Sequence, residues 1–123
     1  MKKARVNTLT LTVFAPVLIL VGVLGFVTPP RLALTSGAAP YNLFHIAFGL
    51  LGLGLLASKR PQLVRAFNIV FGAIDLYQAV ASFAGLPPKA LFLWKPADDV
   101  LHVVIGAALV GIGLIADRGE TKS

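Results

Sequence analysis

The chain has 123 residues, of which 57% are hydrophobic and 13% charged, and its mean hydropathy is +0.85. A soluble domain carries roughly 25% charged residues, so the composition excludes an ordinary water-soluble fold and predicts a single integral membrane domain. The absence of cysteine excludes disulfides, iron–sulfur clusters and thiolate zinc sites. A net charge of +6 would suggest nucleic acid in a soluble protein. In this chain the basic residues are expected to act as topology signals and anionic-lipid contacts, with no nucleic-acid partner.

Four apolar stretches follow one another. Val6 to Pro30 contains no charged residue. About 20 helical residues cross the hydrocarbon core of a bilayer, so the first span is placed at about 9–27. A cleaved signal peptide competes for this stretch, because Met1-Lys2-Lys3 is a suitable basic start. The apolar run is long for such a peptide, and Ala38-Ala39 offers only a weak cleavage site. Leu32 to Ser58 is also uncharged. The second span is placed at about 40–58, with Pro40 in its first turn and Lys59-Arg60-Pro61 stopping it. The third, at about 62–85, carries Asp75 near its middle and ends before Pro87-Pro88. The fourth runs from Pro96 to about Ala116, ahead of Asp117-Arg118. Together they predict an all-α, integral membrane four-helix bundle.

Orientation follows from the basic residues. An even number of spans puts both termini on one side, with the 59–65 turn. That side collects eight basic residues: Lys2, Lys3, Arg5, Lys59, Arg60, Arg65, Arg118 and Lys122. The other side holds three, Arg31, Lys89 and Lys95. The positive-inside rule makes the first side cytoplasmic. Tyr41 and Trp94 are then expected near the outer surface, where amphipathic rings anchor, and the Lys59–Arg65 turn is expected to be solvated.

The second and fourth spans open alike, with Asn42-Leu-Phe-His45-Ile-Ala-Phe-Gly49 and Asp99-Val-Leu-His102-Val-Val-Ile-Gly106. A shift of 57 residues aligns Asn42 with Asp99, His45 with His102, Gly49 with Gly106 and Gly54 with Gly111. A shift of 58 aligns Pro29-Pro30 with Pro87-Pro88. The chain thus reads as two parallel helix-hairpin repeats about an axis normal to the membrane.

At these residues the chain resembles a bacterial membrane family, domain of unknown function 4383. The matching residues are Asn42, His45, Gly49, Gly52 and Leu53, then Ala97, Asp98 or Asp99, Leu101, His102 and Gly106. The repeat spacing favours Asp99 as the partner of Asn42, whereas the family pattern lies nearer Asp98. The resemblance covers most of the chain. It implies a four-helix fold in a bacterial inner membrane and assigns no activity.

Residues three or four apart share a helix face. Asn42, His45 and Gly49 therefore form one stripe, and Asp99, His102 and Gly106 another. Polar groups inside such helices must be satisfied by protein or water. The two motifs are expected to face each other, with Gly49 and Gly106 letting the second and fourth spans approach and Asn42 or Asp99 accepting from a His. Asp98 and Asp99 also suit a first helical turn. A sharper reading makes His45 and His102 the axial ligands of one haem; a zinc site from the two His and an Asp lacks a fourth ligand.

In the third span Asn68, Gly72, Asp75, Gln78 and Ser82 form a polar stripe. Asp75 reads either as a proton or cation relay or as a buried hydrogen bond to Tyr77, Thr10 or a His. Gly52, Gly54 and Gly72 are expected to be packing residues. No nucleophile elbow, phosphate loop or dinucleotide fingerprint occurs. The expected role is structural or partner-binding, without catalytic residues or cofactor, in a lipid bilayer and with a second copy or another membrane protein as partner. Reporter fusions test the orientation: one at residue 123 should report cytoplasm and one within 86–95 periplasm, and a periplasmic C-terminus would show a wrong span count or orientation.

Overall fold

The computed structural model describes residues 5–117. It is all-helical, with α1 (Arg5–Val27), a single 3-10 turn at Pro30–Leu32, α2 (Ala39–Ala57), α3 (Pro61–Ala84), a short α4 (Lys89–Phe92) and α5 (Pro96–Ile115). No strand occurs among the described residues. Four of these helices are long and apolar enough to cross a membrane.

Local sequence accounts for the helix ends. Pro40, Pro61 and Pro96 sit in the first turns of α2, α3 and α5, where a missing N–H costs nothing and φ is already helical. Gly85 stops α3 in a left-handed conformation with φ of 69°, which a residue without Cβ adopts freely. α1 begins ahead of its apolar run because a carboxylate from the far end of the chain caps it. Asp117 accepts from the backbone N–H of Val6 (3.1 Å) and of Asn7 (2.8 Å), and from the Asn7 side chain (3.0 Å). Desolvation opposes the Asp117 charge, but these hydrogen bonds and the Arg65 guanidinium outweigh it and hold its pKa below 3.8. Arg65 does the converse for α5, donating to the carbonyls of Gly113 (2.5 Å) and Leu114 (3.3 Å). A cation at a helix C-terminus and an anion at an N-terminus both complement the helix dipole.

Arg65 is therefore a helix-end partner rather than part of a solvated turn. Lys59 and Arg60 lie at the same end of the bundle. Of the eight basic residues assigned to that side, Lys2, Lys3, Arg118 and Lys122 lie outside the described residues.

The helices pack as two hairpins, α1 on α2 and α3 on α5, joined mainly where α1 meets α3. α2 and α5 share no packed interface. The glycine expectation fails here, since each glycine serves its own hairpin. A Cβ on Gly49 would come within 2.8 Å of the Ala15 carbonyl and 3.0 Å of the Ile19 backbone nitrogen, both on α1. One on Gly106 would come within 2.8 Å of the Gly72 carbonyl and 3.0 Å of Leu76, both on α3. Gly52 and Gly72 pack closely as well, but Gly54 has open space around it.

The usual arrangement of apolar and polar side chains is inverted. Leu34, Phe83, Val27 and Ile115 are 80%, 82%, 68% and 68% exposed, while Asn7, Asn42, Asn68, Asp75 and Asp98 are all buried. The interior between these polar groups is filled by rings. Phe71 lies 5.6 Å from Phe14, 5.8 Å from Phe44, 5.2 Å from Phe48 and 5.5 Å from Phe67, measured between centroids. These are the spacings at which aromatic quadrupoles attract, and they connect α1, α2 and α3.

The glycines separate by their surroundings. Gly106→Ala and Gly49→Ala should each cost about 1–3 kcal/mol by overpacking a backbone contact. Gly54→Ala and Gly111→Ala, with nothing within 4 Å, should be neutral or slightly stabilising. Thermal unfolding of the detergent-purified variants checks this; equal effects at all four positions would refute the hairpin packing.

Candidate functional site

Four helices and one loop enclose a chamber of about 70 Å³, room for a few waters. Its polar wall is Thr35, Tyr41, His45, Asp75, Asp98 and His102. Its apolar wall includes Phe14, Leu18, Phe71 and Ile105. The chamber lies on the side of Phe71 that faces the 28–38 and 85–95 loops.

Each polar group is fixed by its own helix. Asp98 sits in the first turn of α5 and is fully buried. Its Oδ2 accepts from the Lys95 backbone N–H at 2.8 Å, closing a helix cap. Its Oδ1 accepts from the Tyr41 hydroxyl at 2.6 Å, which ties α5 to α2. Lys95 in turn donates from Nζ to the Ala33 carbonyl at 2.9 Å, and the Ser36 hydroxyl donates to the Phe92 carbonyl. These two bonds lock the loops over the chamber.

His45 places Nδ1 2.8 Å from the Tyr41 carbonyl one turn back. A carbonyl only accepts, so Nδ1 carries a proton, and in the neutral ring Nε2 is left as an acceptor. The Tyr41 and His45 rings lie 4.2 Å apart. His102 stands edge-on to Trp94 at 6.0 Å, and its Nδ1 has no hydrogen-bond partner. Asp75 accepts from Gln78 Nε2 at 3.2 Å. That neighbour replaces the expected Tyr77, Thr10 or His; Tyr77 instead donates to the Pro87 carbonyl at 2.6 Å.

The two repeat motifs thus meet at this chamber only in part. His45 and His102 both line it, but across a gap rather than a helix contact. Asn42 is not among the lining residues. It is fully buried, donates to the Gly37 carbonyl at 2.8 Å and lies against Gly25 of α1. It does not accept from a His. Of the adjacent pair it is Asp98, not Asp99, that lines the chamber together with Asp75; Asp99 is half-buried and its Oδ1 has no partner. Asn68 lies on the other side of the rings, where it donates to the Asn7 carbonyl at 3.2 Å and to Asn7 Oδ1 at 3.0 Å.

Tyr41 and Trp94 correct the sequence reading. They are 2% and 8% exposed and pack with Ala81, so they are interior residues rather than surface anchors. Tyr41 was detectable, because it lies one turn before His45 and so shares its face. Asn7 and Asp117 carried no such signal, since their partner is 110 positions away.

The haem reading does not fit this cavity. Pockets for molecules of that size run to several hundred Å³, against about 70 Å³ here. Among the described residues no group of three or more His, Cys, Asp or Glu could hold a metal ion. No family model, curated protein or solved structure matches the chain.

The Tyr41–Asp98 bond is a buried side-chain link between the hairpins at this end, beside the Lys95–Ala33 and Ser36–Phe92 bonds. A double-mutant cycle with Tyr41→Phe and Asp98→Ala should give a coupling of about 1–3 kcal/mol. Additive effects on unfolding would show that the bond carries no stability.

Proposed function

We propose that this chain is a small multi-pass protein of the bacterial inner membrane, both termini cytoplasmic, with a non-enzymatic structural or partner-binding role. The observation that carries the reading is the inverted side-chain distribution joined to an internal polar-walled chamber. Large aliphatic and aromatic side chains cover the outside, as hydrocarbon solvent requires, and every buried polar stripe faces protein. The chamber has ionisable walls, but its floor is Phe71 and Phe14. Beyond that floor Leu11, Ala15, Val64 and Phe67 continue the apolar layer before Asn7 and Asn68 are reached. Such a layer gives an ion no polar route across.

The repeat belongs to this proposal. Under the 57-residue shift Ala15 corresponds to Gly72 and Ile19 to Leu76. These are the residues against which Gly49 and Gly106 pack. Two duplicated hairpins, each closed by its own glycine, account for the correspondence. Of these, Gly49 and Gly106 are also among the residues that carry the resemblance to domain of unknown function 4383.

Proton relay through Asp75 is the second reading, favoured by the position of Asp75 in the chamber wall beside two imidazoles. Liposomes loaded with a pH dye distinguish the two. Wild type and Asp75→Asn should both leave an imposed pH gradient unchanged relative to empty liposomes. A flux in wild type that disappears in Asp75→Asn would replace the structural reading with the relay.

A further inference from the structure

The chamber walls offer more hydrogen-bonding capacity than the protein itself uses. His45, His102 and Asp75 are 6%, 5% and 3% exposed, and all three line the space. Among the described residues, His45 Nε2, His102 Nε2 and Asp75 Oδ2 have no partner, yet none of these atoms is sealed by packing. His102 Nδ1, by contrast, is sealed inside protein. The neighbouring protein donors are already engaged. The Tyr41 hydroxyl donates to Asp98, Gln78 Nε2 to Asp75 Oδ1 and His45 Nδ1 to the Tyr41 carbonyl.

Buried polar atoms without partners are costly, so an occupant that satisfies this chamber must bring donors. No group of three His or acidic residues among the described residues could hold one metal ion, so a single ion does not satisfy the three together. Water brings two donors and bridges groups that stand at different separations. A space of about 70 Å³ takes roughly two waters at their liquid volume of about 30 Å³ each.

We propose that the chamber is a water-binding site, in which a small hydrogen-bonded cluster bridges His45 Nε2, His102 Nε2 and Asp75 and is supplied from the loop end of the bundle. The supply route is a crevice of about 240 Å³ between α1 and the 28–37 loop, walled by Leu24, Thr28, Leu32 and Leu34. Val21 and Thr35 wall both the crevice and the chamber, so the two spaces adjoin. The cluster ends blind at Phe14 and Phe71. It links the two repeat histidines, on α2 and α5, without a helix contact, and so takes the place of the direct bond expected between the motifs. The site goes beyond the structural role proposed above and does not depend on it, because its walls are protein whatever surrounds the bundle.

Hydroxyl-radical footprinting of the full chain in lipid nanodiscs tests the site, because an X-ray pulse turns bound water into radicals that oxidise the side chains beside it. Leu18 and Phe71, which line the chamber, should be oxidised. Leu11 and Phe67 are comparably buried but do not line it, and they should not be. His45→Leu should lose the oxidation at Leu18 and Phe71, whereas His45→Gln, whose amide restores a polar tip, should keep it. When the chain is mixed with heavy-oxygen water before the pulse, the label should enter Leu18 and Phe71, and Thr35→Trp should delay its entry. No oxidation at Leu18 and Phe71, oxidation equal to that of Leu11 and Phe67, or wild-type oxidation in His45→Leu would overturn the cluster. Undelayed label in Thr35→Trp would overturn the supply route. Saturable binding of xenon in the wild-type chamber would show it dry and overturn the site without recourse to any variant.

Discussion

The aromatic cluster around Phe71 is the contact on which the other features depend. α1–α2 and α3–α5 are each closed by small residues, and neither hairpin has a long interface with the other. Rings from α1, α2 and α3 bridge them. Phe67 and Phe71 stack with an interplanar angle of 3°, and Phe14 meets Phe71 edge-on at 61°. In hydrocarbon, apolar burial gives little drive for helix association, so packing geometry and internal hydrogen bonds must supply it. The rings supply the first. They also divide the interior into two polar compartments, the chamber at one end and the Asn7–Asn68–Asp117 network at the other.

α3 occupies the centre because it is the helix with the most to hide. It is the least apolar of the four long helices and the most enclosed, with half of its apolar window buried. Its stripe of Asn68, Asp75, Gln78 and Ser82 is buried throughout. Each of these residues has a hydrogen-bond partner or lies against one: Asn7 for Asn68, Gln78 for Asp75, and Lys89 for the Ser82 carbonyl at 2.5 Å. Polarity along one face of a helix that otherwise reads as a membrane span thus fixes which helix is surrounded by the others.

Much of this was legible in the sequence. Prolines at 40 and 96 mark two helix starts, Pro61, read as a stop for the second span, opens α3 as well, and the spacing of Asn68, Asp75 and Gln78 marks the inward face of α3. The pairing of helices was not legible. Gly49 and Gly106 announce a close approach, but a glycine does not name the helix that approaches it. Tyr41 and Trp94 sit near span ends, where an amphipathic ring can point either to the lipid surface or inward. For Tyr41 the choice depended on Asp98, whose carboxylate gives it an internal partner. The competition between Asp98 and Asp99 was open for the same reason, since adjacent residues on a helix differ by about 100° in direction and only the packed fold selects one.

The Asp117 cap has a consequence for biogenesis. Among the described residues, the side-chain acceptor for the backbone N–H groups of Val6 and Asn7 lies 111 and 110 positions further along the chain, so the first helix leaves the ribosome before that acceptor exists. Until α5 has been synthesised and has come alongside, α1 is a helix with an open end. Contacts of such long sequence separation form late in assembly. Closure of the bundle is therefore coupled to completion of the last helix, and a chain truncated within α5 would leave its first helix unsealed.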